Sequence, residues 1–138
     1  YLKLADLELE TVNLPEALAY AEKASQLSQK TESKQLNARS YALVAKVNAR
    51  LDQPVRALTY SKKAYNIASL FKGYRIADYL VQLSRSYHAL GNDSSFYYAE
   101  IAFSEIEREQ RSVYGENLES GVFSNYANFY NEVAYWYK

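Results

Sequence analysis

The sequence of 138 residues contains no cysteine and no methionine, and it has only four glycines, two prolines and one histidine. Without cysteine, the chain has no disulfide framework, no zinc–thiolate site and no cysteine nucleophile. The glycines are not clustered, which excludes the familiar glycine-rich loops that hold phosphate. No apolar run approaches the roughly 20 residues that span a bilayer, so we expect no membrane contact. The missing initial methionine indicates a fragment of a longer protein.

Candidate catalytic and metal-binding residues are also scarce. The single histidine, His88, has no partners at metal-binding spacing. Asp78, Ser84 and His88 fall on one predicted helix, whereas a catalytic relay needs groups in a geometry that a single helix rarely provides. Glu107 and Arg111 are four residues apart and most simply form an exposed ion pair. We therefore expect no enzymatic activity, no catalytic residue, no metal and no cofactor.

An internal repeat is the strongest positive signal. A helical pattern begins at Pro54 and another at Pro15, since proline suits only the first helical turn. Ala57, Ser61 and Ala64 share one face of the second pattern, and their small size allows another helix to approach closely. Five residues recur 40 positions later: Ala17, Leu18, Tyr20, Lys23 and Ala24 return as Ala57, Leu58, Tyr60, Lys63 and Ala64.

A third copy of the pattern follows the second. It is carried by Leu83, Ser84, Tyr87, Leu90, Gly91, Ser95, Ala99 and Ala102. Repetition at this period is typical of solenoids built from helix pairs. These residues resemble the tetratricopeptide repeat (TPR), in a long-helix variety with a period of about 40 residues. The resemblance implies an all-α fold, a right-handed α-solenoid of about seven helices with a concave binding face.

The resemblance makes the chain a single domain, with repeats over about 1–33, 34–73 and 74–113 and a final aromatic helix over 118–137. Turn signals predict helices over about 15–30, 34–51, 54–71, 74–90, 95–111 and 118–137. The alternation of residues 7–10 would also suit a strand, and the resemblance to the repeat implies a helix over 1–11. Gly73 and Gly91 suit helix C-termini because glycine adopts positive φ readily. Asp93 or Ser94 is expected to cap the helix that follows Gly91.

The final helix is rich in aromatic residues. One stripe consists of Phe123, Tyr126, Tyr130 and Val133. Phe129 and Trp136, seven apart, form a second apolar line. We expect this helix to be covered on two sides, by the third repeat and by a segment outside the fragment.

A second resemblance involves the junction before this helix. Ile106, Glu107, Arg111, Leu118, Val122, Phe123 and Tyr130 are similar to the segment that joins TPRs to a caspase-like CHAT domain in bacterial proteins. Glu119 stands where that family often has arginine. The resemblance implies an alternative function, as a regulatory or sensor region of a larger bacterial enzyme or regulator, such as a CHAT-type protease or a signalling protein. A cytoplasmic location is expected.

The neutral net charge conceals a basic centre. Residues 31–90 carry ten Lys/Arg against three Asp/Glu, whereas both flanking segments are acidic. The pattern fits solvated helix faces that attract their neighbours, and it also fits a basic groove for an acidic partner. Nucleic-acid binding is not expected, because Lys62 and Lys63 lie on a second helix of a pair, away from the inner surface. Tyr20 and Tyr60 recur at the repeat period, which favours packing over base stacking.

In the resembled family the first helix of each pair lines the concave groove. The groove residues that this implies are Arg39, Lys46, Arg50, Gln82, Arg85, His88, Asn125, Asn128 and Asn131. Arg39, Lys46 and Arg50 share one helical face, and Arg85 follows Lys46 by 39 residues, so they are expected to form a basic strip. Such a strip suits a peptide or partner domain that bears carboxylates. Alternatively, these charges only keep an exposed groove soluble. The sequence thus predicts a non-enzymatic protein–protein interaction module.

Overall fold

The computed structural model describes residues 13–30, 33–71, 75–114 and 121–138, with the side chains of 112–114 and 121–125 excepted. Within these ranges the chain forms six helices and no strand, which confirms the predicted all-α class. The helices are α1 (Leu14–Gln29), α2 (Lys34–Arg50), α3 (Pro54–Ala68), α4 (Ala77–Ala89), α5 (Ser94–Tyr114) and α6 (Gly121–Trp136). None of these helices is long and apolar enough to cross a membrane. The helix predicted over 1–11 and the turn at Gly73 lie outside the described residues.

The starts of the helices follow local sequence chemistry. Pro15 and Pro54 stand in the first turns of α1 and α3, where a missing N–H removes no intrahelical hydrogen bond. The hydroxyl of Ser33 accepts a hydrogen bond of 3.3 Å from the backbone N–H of Leu36 and so caps α2. These boundaries are therefore set by a few residues at each helix start.

The turn between α4 and α5 matches the predicted helix end. Gly91 has a φ of +67°, which glycine adopts without steric penalty. The backbone N–H of Asn92 then bonds to the carbonyl of Tyr87 at 3.0 Å. The expected cap at Asp93 or Ser94 is wrong: the side-chain oxygen of Asn92 accepts from the N–H of Ser94 at 2.9 Å. An asparagine two residues upstream makes this bond because its short side chain folds back onto its own turn.

Each helix packs against the next one along the chain, and α2 also packs against α4. On α3 the three small residues Ala57, Ser61 and Ala64 are each only 1% exposed, as the repeat predicts. The hydroxyl of Ser61 lies 2.8 Å from that of Ser86 on α4, so a buried hydrogen bond joins the two helices. Small residues thus bring α3 close to its neighbours.

Two apolar clusters form the core. Between α1 and α2 the cluster consists of Ala17, Ala21, Leu43, Val44 and Val47. Among α4, α5 and α6 it consists of Ala77, Leu80, Val81, Ala99, Ala102, Ile106, Phe129 and Val133. Phe129 is 1% exposed, and Trp136 packs against this cluster. The line of Phe129 and Trp136 therefore packs on α4 and α5. The expected cover by a segment outside the fragment stays a prediction.

Candidate functional site

A cleft of about 630 Å³ opens between α2 and α4, next to the turn that joins α2 to α3. Three basic residues line it: Lys46 and Arg50 from α2, and Arg85 from α4. The other lining residues are polar or small, namely Gln82, Ser86, Asp52, Ala49, Ala57, Ala89 and Pro54. A volume of this size lies within the range of about 300–1,000 Å³ that is typical of ligand pockets.

Helical spacing places the lining residues of each helix on one side. Lys46 and Arg50 are four residues apart on α2, and the α4 residues recur at i, i+3, i+4 and i+7 from Gln82. Asp52 has a φ of 56°, a left-handed conformation that aspartate tolerates better than most residues. This turn reverses the chain, so Pro54 and the first turn of α3 form one edge of the cleft.

The charges of the cleft are unbalanced. Lys46, Arg50 and Arg85 contribute three positive charges to its lining, and Asp52 contributes one negative charge. Lys46 is exposed and makes no ion pair or hydrogen bond with the part of the chain that the structure describes. Glu132 of α6 balances the charge of Arg85, and Lys46 and Arg50 then exceed Asp52 by one positive charge. The cleft is therefore weakly electropositive and attracts anionic groups.

Arg85 is held from its other side by α6. Its Nε and Nη2 donate hydrogen bonds of 2.9 and 2.7 Å to the two carboxylate oxygens of Glu132, a bidentate pair. Its guanidinium carbon lies 5.5 Å from the centre of the Phe129 ring, within cation–π range. The side chains of Arg85 and Glu132 remain 39% and 41% exposed, so water reaches the pair. Arg85 thus belongs both to the cleft and to the contact between α4 and α6.

Two further contacts join α4 to α6. The hydroxyl of Tyr126 donates a hydrogen bond of 2.7 Å to the carboxylate of Asp78. The ring of His88 stacks on Trp136, with centroids 3.9 Å apart and an interplanar angle of 9°. Together with the bond between Arg85 and Glu132, these contacts engage three α4 residues, of which the sequence assigns Arg85 and His88 to the groove. Two of the predicted groove residues of α4 therefore contact the chain's own last helix while remaining partly exposed.

The structure brings four of the nine predicted site residues together, and these are Lys46, Arg50, Gln82 and Arg85. Arg39 is exposed on α2 but does not line the cleft, and His88 stacks on Trp136 instead. Asn128 and Asn131 are exposed on α6, and the side chain of Asn125 lies outside the described residues. The assignment of all nine to a peptide-binding groove stays a prediction.

The sequence prediction takes groove residues only from the first helix of each pair, so it omits several residues of the cleft. Asp52, Pro54 and Ala57 come from the turn and the second helix. The break before Pro54 was a signal that could have found them. The pairing of Glu132 with Arg85, 47 residues away, has no sequence signal.

A smaller, mainly polar pocket of about 170 Å³ lies among α1, α2 and α3. Its lining includes Glu22 and Lys63. The ammonium of Lys63 lies 5.6 Å from the Tyr41 ring and 5.2 Å from the Tyr60 ring, while Glu22 accepts a bond of 3.5 Å from Arg56. Because neighbouring side chains already engage these charges and the volume is below about 300 Å³, this pocket is a poorer binding site than the cleft.

Two groups with a shifted pKa, Tyr126 and Glu109, lie beside the start of α4. Burial raises the pKa of Tyr126 well above its ordinary value, and the hydrogen bond to Asp78 raises it further. Burial also raises the pKa of Glu109, although a bond of 3.5 Å from the backbone N–H of Ala77 opposes the shift. The cleft lies toward the other end of α4, so these groups affect stability more than binding.

Within the described residues no group of three or more histidine, aspartate or glutamate side chains is placed to hold a metal ion. Comparison of the chain with protein-family models, with curated proteins and with solved structures finds no significant match. The functional inference therefore rests on the cleft and on the packing of the helices.

Proposed function

We propose that the helix pairs stack into a right-handed α-solenoid of TPR-like repeats. The 40-residue recurrence of small residues supports this arrangement. So does the packing of α2 against α4, which are the first helices of two successive pairs. In such a fold each pair contacts mainly its neighbours, and the first helices together form the inner surface.

We propose that the chain is a non-enzymatic protein interaction module that holds an acidic segment of a partner in the cleft. The observation that carries this proposal is the convergence of Lys46, Arg50 and Arg85 on one open cleft. Basic side chains form charge-assisted hydrogen bonds with carboxylates. The small side chains of Ala49 and Ala89 leave room for the backbone of the bound segment.

The polar groups that line the cleft, set among small apolar side chains, suit binding better than catalysis. The hydroxyl of Ser86 donates to the carbonyl of Gln82 at 2.9 Å and lies 2.8 Å from the hydroxyl of Ser61. No histidine lines the described part of the cleft to act as a base, and His88 stacks on Trp136. The side-chain amide of Gln82 offers both a donor and an acceptor for a backbone amide of the partner.

A photo-crosslinker in the cleft tests the proposal. Benzoylphenylalanine at Ala89, an exposed lining residue, is expected to capture a defined partner from a native lysate. Lys46→Glu in the same protein is expected to abolish that adduct. The control places the crosslinker at Asn66, which is exposed on α3 and does not line the cleft. The same adducts from both positions, or adducts that persist with Lys46→Glu, contradict an electropositive binding cleft.

A further inference from the structure

The contact between α2 and α4 differs in its charges from the contact between α4 and α6. Positions 39 residues apart in the repeat pair Arg39 with Asp78, Lys46 with Arg85, and Ala49 with His88. On α4 all three positions meet α6, where Glu132 neutralises Arg85. On α2 the equivalent charged residues, Arg39 and Lys46, are exposed and make no ion pair with the described residues. Arg85 of α4 adds a second basic side chain to the cleft that Lys46 lines. Opposite charges therefore join α4 to α6, whereas the cleft between α2 and α4 has basic side chains on both helices.

Arg85 has hydrogen-bonding capacity left for the cleft. Glu132 uses the edge formed by Nε and Nη2, and Nη1 donates no hydrogen bond to the described residues. A guanidinium carries five N–H donors in a fixed fork, so a second carboxylate fits on its remaining edge. That second carboxylate would also meet the negative charge of Glu132, because both acids then share one guanidinium.

This inference rests on the proposed function of the cleft. We propose that Glu132 sets the affinity of the cleft for acidic segments by competing for Arg85, and that α6 responds when the cleft is occupied. A partner carboxylate between Lys46 and Arg85 weakens the bond between Arg85 and Glu132. By linkage, removing the charge of Glu132 strengthens partner binding by the same coupling free energy.

The chain contains its own reporter of this coupling. Trp136 is the single tryptophan, and it follows Glu132 by one helical turn on α6. Its indole stacks on His88 of α4, so a shift of α6 against α4 changes the surroundings of the fluorophore. Tryptophan emission therefore follows the α4–α6 contact while calorimetry follows binding.

The test titrates the protein with N-acetyl-hexaglutamate at about 150 mM salt, with hexaglutamine as the uncharged probe. Glu132→Gln is expected to bind hexaglutamate about two- to fivefold more tightly, the range that exposed ion pairs contribute. The matched control is Glu105→Gln, which makes the same charge change and removes a 2.8 Å ion pair with Arg108 within α5. This control is expected to bind with wild-type affinity. Emission of Trp136 is expected to change as hexaglutamate saturates the wild-type protein.

A second pair of variants checks that the probe occupies the cleft. Lys46→Glu is expected to weaken hexaglutamate binding about tenfold or more, because it replaces an attraction with a repulsion. Lys34→Glu makes the same charge change at an exposed residue twelve positions away, about 18 Å along α2, which exceeds the Debye length of about 8 Å. It is expected to change the affinity by less than about twofold. An equal loss in both variants means non-specific attraction and overturns the inference.

The remaining outcomes distinguish a failure of the competition by Glu132 from a failure of the cleft to bind acidic segments. Binding that depends on Lys46 but has the same affinity in Glu132→Gln overturns the inference and leaves the proposed function intact. Saturable binding without any change in Trp136 emission also overturns it. If hexaglutamate binds neither the wild-type protein nor Glu132→Gln, the acidic preference of the cleft fails, and the inference fails with it.

Discussion

Alanine and serine residues at the helix contacts determine how closely these helices approach. Ala57 and Ala64 are each only 1% exposed on α3, so both lie within the packed contacts of that helix. Burying these serines costs little free energy because their hydroxyls form hydrogen bonds. Ser84 donates 2.7 Å to the carbonyl of Ser95, and Ser28 donates 2.7 Å to the side-chain oxygen of Asn37. A hydrogen-bonded hydroxyl avoids the penalty of an unsatisfied buried group.

Enlarging one of these residues is expected to overpack the helix contact. Ala57→Leu adds three carbon atoms at a position that is 1% exposed, and it is expected to lower the free energy of unfolding by about 1–3 kcal/mol. Urea unfolding followed by circular dichroism measures the effect. The matched control, Ala19→Leu, makes the same change on the exposed face of α1 and is expected to stay within about 0.5 kcal/mol of wild type. Equal effects at the two positions contradict tight packing at Ala57.

The last helix is the element that limits the accessible inner surface. It buries Phe129 and Val133 against α4 and α5, which supplies most of its anchoring. Its polar contacts with α4 run along the helix, from Tyr126 through Glu132 to Trp136. Beside α2 the basic side chain of Lys46 lines the cleft and makes no ion pair with the described residues.

The pair between Arg85 and Glu132 is expected to contribute to stability, whereas Lys46 is not. Arg85→Glu places a second carboxylate against Glu132 and is expected to lower the free energy of unfolding by about 1 kcal/mol. Adding Glu132→Arg restores opposite charges and is expected to recover part of that loss. Lys46→Glu is expected to leave the urea midpoint nearly unchanged. If Lys46→Glu destabilises the fold as much as Arg85→Glu does, both residues have structural roles.

Stability at alkaline pH is expected to depend on Tyr126. In the unfolded chain this phenol ionises near its ordinary pKa of 10.0, whereas in the folded protein burial and Asp78 keep it protonated to higher pH. The folded state therefore binds more protons above pH 10, and the free energy of unfolding falls as the pH rises through that range.

Tyr126→Phe removes this proton linkage. Urea unfolding between about pH 9 and about pH 11 is expected to show a shallower decline for Tyr126→Phe than for wild type. The control Tyr137→Phe alters a tyrosine that is 62% exposed, and its decline is expected to match that of wild type. Matching declines in all three proteins would mean that Tyr126 does not hold its proton more tightly in the fold.

At the scale of the whole molecule, stability is expected to be distributed along a row of neighbouring helices. The cluster between α1 and α2 is distinct from the cluster among α4, α5 and α6, and α3 packs against both α2 and α4. In a solenoid the stability is approximately a sum of repeat terms and nearest-neighbour interfaces. A closed bundle would instead share one core among all its helices.

Hydrogen exchange distinguishes these arrangements. Leu80→Ala opens a cavity at a fully buried position and is expected to cost about 2–5 kcal/mol. In the proposed solenoid, amides of α4, α5 and α6 lose protection more than amides of α1 and α2. Val44→Ala, in the other cluster, is expected to show the reverse pattern. Uniform loss of protection across all helices in both variants contradicts the solenoid.

The sequence by itself determined the helices and the small faces on which they meet. It predicted α2 over 34–51 and α3 over 54–71, and the structure has Lys34–Arg50 and Pro54–Ala68. These agreements follow from local physics, because proline, glycine and capping side chains act on the backbone within one turn. The spacing of Lys46 and Arg50 likewise placed both on one side of α2, where both line the cleft.

Only the tertiary structure decided which basic residues stay open to a partner. Lys46 and Arg85 occupy equivalent positions in the predicted repeat, yet α6 neutralises Arg85 through Glu132, whereas Lys46 lines the cleft without an ion pair to the described residues. Helix periodicity predicts which residues share a face of one helix. Which residues of a second helix contact that face depends on the angle at which the two helices cross. Because the contact between Arg85 and Glu132 joins residues 47 positions apart, no local pattern encodes it.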